Sequence, residues 1–405
     1  MLRQQCLKLI MLLLHGALGY NVFAHPVLFC LCPFFLTGCL SPVHDRRRRL
    51  YILAYALGAG ALAAGPVRGV LGADAILQQV IACLLLGGIT AAPWLMIFRQ
   101  GRRRFITSLL ACILSLLPPV GTNALPNPFM TAGYLFPGTG HAGLILIASL
   151  IILPAQLTAK ARFGFVVFFV SISFVSNMLY HTPAPPDDWQ ALNTTFTDFY
   201  DDPIGERNAR VTTIRENITA ELLHGAKVII TPETLLGIST PGLAPQIDLL
   251  SARAKRHEAT VLIGLVERTP GSLENTLLIL GQNPGRYNAR QPAPLVMWNL
   301  WPTTGFRAHW FRSGVREIAG KRTALLICWE ELVPWPMLIS SFQDPEIIVS
   351  ASNHGWAEPG SRIWDYQSLN ARALARLYGL PLLRAVNLPP REASPDGNDA
   401  HKEFQ

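Results

Sequence analysis

Residues 321–331 of the chain read KRTALLICWEE, and this stretch decides the fold of the polar half of the protein. The apolar run at 324–327 is too short for a helix of its own and predicts a buried strand. The strand ends at Cys328, which is followed closely by Glu330 and Glu331. In α/β domains catalytic groups collect where a strand gives way to a loop, so this thiol stands at a suitable place for chemistry.

Two further apolar strands, in AKVIITPE (226–233) and EIIVSAS (346–352), also lead into unusual polar residues. Glu233 ends the first strand. The residues that follow the second are Asn353, His354 and Trp356. Helical spacing recurs between the strands, over residues 211–222, 245–258 and 364–380. Strands that alternate with helices predict an α/β domain, and about 200 residues are enough to bury its core.

The first 180 residues have a different charge pattern from the rest. They contain two acidic residues, Asp45 and Asp74, against 13 Lys and Arg, within a chain of 405 residues and net charge +8. The remaining 24 acidic residues lie in 181–405, beside 21 Lys and Arg. The excess of positive charge therefore flanks apolar segments. We see no basic helix or aromatic–basic strip typical of a nucleic-acid surface, and expect no nucleic-acid contact.

Apolar runs in residues 1–180 approach the roughly 20 residues that cross a bilayer. They predict spans near 50–71, 75–98, 105–122, 140–158 and 163–180, with one or two more in 9–41, which gives six or seven. Basic clusters at 46–49, 99–104 and 160–162 lie on the cytoplasmic side under the positive-inside rule. We therefore expect a transmembrane helical bundle over 1–180 in a bacterial inner membrane, a linker over 181–206 rich in Pro and Asp, and a periplasmic domain over 207–405.

Six of the seven cysteines lie in the apolar half, and Cys328 alone lies in the polar half. That domain therefore cannot contain an internal disulfide, and Cys328 is either a small buried apolar residue or a nucleophile. The stretch LTGC at 36–39 matches the end of a lipoprotein cleavage box. Because further predicted spans follow it, lipidation of Cys39 is left as an open alternative.

Several ordered stretches carry a family resemblance. They are TPETLLG (231–237), LLICWEE (325–331), SNHGWA (352–357) and WDYQSLNARALARLYGLPLLRAVN (364–387). In order and spacing they resemble the nitrilase superfamily of carbon-nitrogen hydrolases, above all apolipoprotein N-acyltransferase, whose nitrilase domain is joined to a membrane bundle. With YNARQPAP (287–294), the overall likeness is greatest to the conjugal transfer protein TraB family. The resemblance implies an α/β nitrilase-like four-layer αββα sandwich with a Glu–Lys–Cys triad.

The resemblance assigns Cys328 as the nucleophile and Glu233 as the general base. A free thiol is only a few per cent ionised at neutral pH, and a carboxylate at hydrogen-bond distance takes its proton as the sulfur attacks a carbonyl. The family lysine is missing, because its aligned position is Ala289. Its neighbour Arg290 is the expected source of positive charge, although a planar guanidinium is not equivalent to an ammonium. This departure bears on turnover more than on the fold.

Five further residues are candidates for substrate binding: Trp329, Glu330, Asn353, His354 and Trp356. The backbone N–H of Trp329 would help to hold an oxyanion. Glu330 orients the site or is a solvated loop charge, and His354 contacts the ligand or lies on the surface. Trp356 lines an acyl pocket or simply packs. The sequence contains no cluster with metal-ligand spacing and no glycine-rich phosphate loop, so we expect no metal and no cofactor.

These patterns predict a membrane-anchored acyltransferase or amidase that works through a thioester on Cys328. Its expected partners are a lipid-like or amide acyl donor reached from the bilayer, an amine or water as acceptor, and proteins of the conjugation apparatus. The missing lysine favours one alternative, a nitrilase scaffold that assembles with that apparatus and has little or no turnover. A channel or transporter is disfavoured, since Arg68 and Asp74 lie at a loop and a transport pathway needs buried charges.

Overall fold

The computed structural model describes residues 2–22, 26–39, 45–97, 101–122, 125–197, 204–294, 297–298, 305–357 and 363–389. The helices of the apolar half are α1 (Leu2–Asn21), α2 (Pro26–Cys30), α3 (Cys32–Cys39), α4 (Asp45–Gly60), α5 (Ala64–Leu71), α6 (Ile76–Leu95), α7 (Gly101–Leu116), α8 (Ala132–Leu135), α9 (His141–Ile152) and α10 (Ala159–Leu179). Two short 3₁₀ turns matter below, Ala61–Ala63 between α4 and α5, and Val120–Thr122 after α7.

Among the described residues, three helical segments are long and apolar enough to cross a membrane. They are Arg48–Gly69, which joins α4 to α5, then α6, and the Lys160–Leu179 part of α10. The pair Leu9–Asn21 and Pro26–Leu36 meets the same criterion only as a broken span bent by 118°. Helices α7 and α9, with 16 and 12 residues, are shorter than a straight span. The total of six or seven spans therefore stays a prediction.

Two β-sheets form the centre of the polar half. The first has the order β1 (Trp189–Ala191), β2 (Val228–Ile230), β3 (Thr260–Thr269), β4 (Ser272–Gly281), β5 (Gly285–Asn288). The second has the order β6 (Val315–Ile318), β7 (Lys321–Ile327), β8 (Ile347–Asn353), β9 (Leu382–Asn387). Strands β1 to β3 are parallel, as are β7 to β9, and the other pairs are antiparallel. The carboxyl ends of β2, β7 and β8 bear the residues singled out from the sequence.

Helices cover the outer face of each sheet. They are α11 (Ile204–Leu223) and α12 (Ala244–Arg256) on the first sheet, and α13 (Pro334–Ser341) and α14 (Ile363–Tyr378) on the second. Because side chains alternate along a strand, Val261 and Ile263 of β3 pack towards α11 and α12. Leu262, between them, packs against Leu325 of the facing sheet. The four-layer αββα sandwich predicted from the sequence is confirmed.

Part of the segment predicted as a linker, 181–206, belongs to the sandwich. Trp189 is buried at the start of β1, which pairs with β2. Further along, the Thr194 hydroxyl donates to the Asn387 side chain at 2.7 Å. A strand of three residues is too short to show the alternation of apolar and polar side chains. The Pro and Asp residues around it therefore led to the prediction of a linker.

The helical bundle packs directly on α14. Gly133 in α8 lies so close that a Cβ there would overlap the backbone carbonyl of Ala373. The Arg376 Nε donates to the Gly133 carbonyl at 3.1 Å, and the Tyr134 hydroxyl donates to the Leu369 carbonyl at 3.1 Å. Only glycine allows this approach of two backbones. Bundle and sandwich therefore share one apolar core.

Candidate active site

Cys328 occupies a strained turn directly after β7. It begins a 3₁₀ turn, Cys328–Glu331, with a φ of +50°, a conformation that side chains other than Gly rarely adopt. Such a residue costs of order 1–3 kcal/mol and persists only where its surroundings hold it. The Gln367 amide provides part of that support by donating to the Cys328 carbonyl at 2.7 Å. The turn aims the thiol into a cavity between the sandwich and the bundle.

Glu330 fixes this turn from below. Its carboxylate is completely buried and accepts hydrogen bonds from the Ile327 N–H at 2.8 Å and the Arg290 N–H at 2.6 Å. The Tyr287 hydroxyl donates to the same carboxylate at 2.8 Å. Glu330 is therefore neither a solvated loop charge nor, within the described lining of the cavity, a substrate contact. It positions the Cys328–Glu331 turn against the end of β5.

Glu233 lies at the carboxyl end of β2, facing Cys328 across the two sheets. Both side chains line the same cavity, and the Cys328 thiol lies near enough to the carboxylate to lower its pKa as a hydrogen-bond donor. The Asn275 side chain donates to Oε1 at 2.5 Å, and the Asn353 N–H donates to Oε2 at 3.2 Å. Gly264 on β3 makes this placement feasible, because a Cβ there would overlap the Glu233 loop. The carboxylate is thus held in one orientation towards the sulfur.

Burial controls the protonation of this pair. It raises the pKa of the Glu233 carboxyl from 4.5 to about 7, although the hydrogen bonds that it accepts oppose the shift. The pKa of the Cys328 thiol is raised well above its ordinary value, first by burial and then by the negative charge of Glu233. The resting sulfur is therefore a thiol. A carboxyl that titrates near neutrality is well matched to accept and return its proton.

Asn353 connects the two sides of the site. Its side-chain amide donates to the Thr234 hydroxyl at 2.9 Å, and its Oδ1 accepts from Asn387 at 2.8 Å. The Trp356 indole N–H donates to the Asn353 carbonyl at 2.7 Å. Asn353, Trp356 and Trp329 all line the cavity beside Cys328. The structure therefore brings these three predicted substrate-binding residues together.

The cavity has a volume of about 320 Å³, and the membrane-length helices build one of its walls. That wall consists of apolar residues around α5 and α6, including Leu62, Pro66, Val67, Ala82 and Leu86. Two contacts connect the helical bundle to the site. The Trp329 indole donates to the Thr122 carbonyl at 2.7 Å, and Gly69 packs against Trp356. No Lys, Arg or His occurs among the described residues that line it.

Arg290 does not reach this cavity, contrary to the expectation that it replaces the family lysine. Its guanidinium is fully buried and donates to the Tyr287 hydroxyl at 3.1 Å and the Pro336 carbonyl at 2.9 Å. The Arg290 Nε lies 3.6 Å from the Glu330 carboxylate. Successive side chains of an extended segment point to opposite faces. Ala289 packs in the cluster that includes Cys328, so its neighbour faces away.

His354 is placed differently from both interpretations of the sequence. It is completely buried, and so is not a surface loop residue. It is also absent from the described lining of the cavity. Burial, with the positive charge of Arg384, lowers its pKa to about 3, so the ring is neutral. Its backbone N–H donates to the Asn387 carbonyl at 2.7 Å, which anchors the loop after β8.

Sequence reasoning missed three polar residues of the site, Asn275, Thr234 and Gln367. A signal existed for Asn275, a polar residue in the otherwise apolar run NTLLILG at 275–281. Gln367 lies in the helical stretch that carried the family resemblance, but nothing in the pattern distinguished it from its neighbours. Among the described residues, no group of three His, Cys, Asp or Glu side chains is arranged to hold a metal ion.

Parts of the chain are similar to known proteins. Residues 204–389 match the carbon-nitrogen hydrolase family. The chain is 32% identical over 289 residues to a conjugal transfer protein TraB of Agrobacterium fabrum, covering 69% of this chain and 66% of that protein. It is 30% identical over 292 residues to a probable conjugal transfer protein TraB of Sinorhizobium fredii, covering 69% of this chain and 72% of that protein. The chain thus spans about two thirds of the length of the Agrobacterium relative.

Solved structures of two enzymes are also similar to parts of the chain. A carbon-nitrogen hydrolase from Helicobacter pylori is 15% identical, with a TM-score of 0.37, and the match covers 48% of this chain and 72% of that one. An amidase from Nesterenkonia sp. is 15% identical, with a TM-score of 0.38, over 49% of this chain and 75% of that one. From the match at 204–389 and the two curated relatives, the chain belongs to the TraB family of conjugal transfer proteins, within the carbon-nitrogen hydrolase (nitrilase) superfamily.

Proposed function

We propose that this protein is a membrane-anchored enzyme that takes an acyl group onto Cys328 as a thioester and passes it to an amine or to water. The observation that carries the proposal is that the Cys328 thiol and the buried Glu233 carboxylate line one cavity, in which hydrogen bonds from Asn275 and Asn353 orient the carboxylate. Membership of the carbon-nitrogen hydrolase superfamily supports a reaction at an acyl carbon.

In the first half of the reaction, Glu233 takes the thiol proton while the sulfur attacks the carbonyl carbon of the donor. The tetrahedral intermediate then collapses, the bond to the leaving amine or alcohol breaks, and Glu233 returns the proton to that leaving group. In the second half, Glu233 takes a proton from the attacking amine or water. The C–S bond breaks, and the proton passes back to the sulfur.

The apolar wall of the cavity supports a lipid-like acyl donor. Leu62, Val67 and Leu86 belong to segments of the bundle that are apolar and of membrane length, so a donor in the bilayer would reach Cys328 without crossing water. A carboxylate or phosphate in the acyl group would lose its hydration there without finding a described cationic partner, which is costly. We propose an inner-membrane location with several spans and with the sandwich on the periplasmic side.

The names of the two curated relatives support a role in conjugal plasmid transfer. On this proposal the acceptor is an amine of a protein in the conjugation apparatus, or water if the enzyme acts as an amidase. The bundle would keep the sandwich at the membrane face where such an apparatus assembles.

A second candidate function is a scaffold without turnover. It is favoured by the burial of Arg290 beneath the nucleophile turn, which leaves the described lining of the cavity without a cation. On this account the sandwich keeps the nitrilase fold as a docking platform within the apparatus, and Cys328 has no chemical role.

Intact-mass analysis of the full chain in membranes tests the proposal. Incubation with an acyl amide or a phospholipid should add one acyl group to the wild-type protein, and hydroxylamine should remove it as expected for a thioester. The Cys328→Ala variant should show no adduct, whereas the Cys83→Ala variant, which lacks a cysteine of α6, should label like the wild type. Persistence of the adduct in Cys328→Ala overturns the mechanism. Full conjugal transfer by Cys328→Ala favours the scaffold.

A further inference from the structure

Gln367 lies in the first turn and a half of α14, directly beside the nucleophile. Its side chain is 2% exposed and lines the cavity next to Cys328. The amide Nε2 donates one of its two N–H groups to the Cys328 carbonyl at 2.7 Å, which places the second N–H beside the same residue. One side chain therefore supports the strained backbone of the turn and lines the cavity beside the thiol.

A buried ion pair fixes which end of this amide faces Cys328. The Arg384 guanidinium donates to both oxygens of Glu331, at 2.8 and 2.9 Å, and keeps this buried carboxylate an acceptor. The N–H end of the Gln367 amide also lies near enough to Glu331 to lower the pKa of that carboxyl, while Nε2 donates to the Cys328 carbonyl. A flipped amide would set its oxygen against two acceptors. The N–H end is therefore held towards Cys328.

The sulfur needs such a donor because the charges around it are unfavourable to a thiolate. The negative charges of Glu233 and Glu331 both raise the pKa of the Cys328 thiol, in addition to burial. No Lys, Arg or His occurs among the described residues of the cavity wall. The Arg290 guanidinium is paired with Glu330 and does not line the cavity. The Gln367 amide acts in the opposite direction and lowers the pKa of the thiol.

We infer that Gln367 is a third catalytic residue, whose neutral amide donates a hydrogen bond to the Cys328 sulfur and stabilises the negative charge that develops on it as Glu233 takes the proton. The Arg384–Glu331 pair is a positioning element that orients this amide. The inference rests on the proposed function in one respect, since it assigns Gln367 a part in thioester formation. The hydrogen bond itself is testable without any acyl donor.

The test follows alkylation of Cys328 by iodoacetamide in the detergent-solubilised full chain, quantified on the Cys328 peptide by mass spectrometry from pH 6 to pH 10. Gln367→Leu removes the donor, and loss of one neutral hydrogen bond should slow alkylation at pH 8 by about five- to tenfold and move the profile to higher pH. Gln367→Glu, of the same shape, adds negative charge and should be slower still.

Gln291→Leu is the matched control. Gln291 is also a fully buried glutamine whose amide donates to a backbone carbonyl, that of Pro292 at 2.7 Å, but it does not line the cavity. Cys328 of the Gln291→Leu variant should be alkylated at the wild-type rate. Any of three results overturns the inference. The first is a wild-type pH profile of alkylation in Gln367→Leu, and the second is an equal fall in alkylation rate in Gln291→Leu. The third is alkylation of Gln367→Glu at or above the wild-type rate. If the profiles shift but no donor ever acylates Cys328, the proposed function fails and the hydrogen bond stands.

Discussion

Cys328 and Glu233 line the same cavity, although the two residues follow strands of different sheets. Glu233 follows β2 of the first sheet and Cys328 follows β7 of the second. The sandwich packs these sheets face to face, and the carboxyl ends of the two strands meet at one edge beside the bundle. Cys328 and Glu233 are therefore brought together by the packing of the two sheets, and the chemistry proposed for them depends on that packing.

We expect the rate of Cys328 acylation by an uncharged donor to rise as the pH increases through about 7. Glu233 accepts the thiol proton only as a carboxylate, and burial raises its pKa from 4.5 to about 7, so the base is lost below neutrality. Thioester formation measured by mass between pH 5 and pH 9 checks this. The Glu233→Gln variant should be slower by about a hundredfold and lack this rise. A wild-type midpoint near 4.5 would contradict the assignment.

The same shift makes a prediction about stability. A carboxyl whose pKa is higher in the folded than in the unfolded protein binds a proton preferentially when folded. It therefore destabilises the fold as the pH rises from 4.5 to about 7. Glu233→Gln removes that cost, worth about 3 kcal/mol above neutrality, so its Tm relative to wild type should be higher at pH 8 than at pH 5. The exposed Glu258→Gln should show no such change, and a pH-independent difference for Glu233→Gln would contradict the burial argument.

The sequence was sufficient to predict the strands that end at Glu233, Cys328 and Asn353, because apolar runs of strand length and helical spacing are local properties. It was not sufficient to predict where Arg290 points. Alignment placed that arginine one position from the family lysine, but one position along an extended segment reverses the direction of the side chain. A substitute charge at that position therefore could not reach the sulfur.

The cavity wall contributed by the bundle was equally inaccessible to sequence reasoning. The apolar runs predicted that helices cross the membrane, but the contact of Gly69 with Trp356 depends on how two separately predicted parts dock. No local periodicity contains that information. Gln367 was missed for the same reason, because its partner Cys328 belongs to a different element.

Arg290→Met should destabilise the protein without moving the acylation profile. The substitution leaves Glu330 buried without its cation, and loss of one partner of a buried pair costs about 3–5 kcal/mol. Because the guanidinium does not line the cavity, the midpoint near pH 7 should remain. Tm and the pH profile are measured together, with Arg286→Met, at an exposed arginine, as the control. A displaced midpoint with an unchanged Tm would show that Arg290 acts on the site after all.

Gly133→Ala should weaken the docking of the bundle on α14. The added methyl group would overlap the Ala373 backbone, and overpacking of this kind costs about 1–3 kcal/mol. The Tm of the full chain in detergent should fall. Gly88→Ala is the matched control, since a Cβ at position 88 meets open space within its own apolar helix. Equal Tm values for the two variants would mean that the bundle and the sandwich do not associate as described.

The bundle wall should also set which acyl donors reach Cys328. Leu86 on α6 is buried and lines the cavity, so Leu86→Trp should fill part of its 320 Å³. A long-chain donor would then lose contact area that an acetyl donor never uses, and its acylation rate should fall by roughly ten- to a hundredfold while the acetyl rate changes little.

Leu84 is the matched control position, two residues away on the same helix and 54% exposed. Leu84→Trp therefore adds the same bulk outside the cavity and should leave both acylation rates unchanged. A parallel loss for both donors in Leu86→Trp would indicate a damaged nucleophile turn, and a loss shared by Leu84→Trp would place the donor route elsewhere. A loss confined to the long chain and to Leu86→Trp means that helices of the bundle form part of the substrate site, and a sandwich without its bundle would then lack one wall of that site.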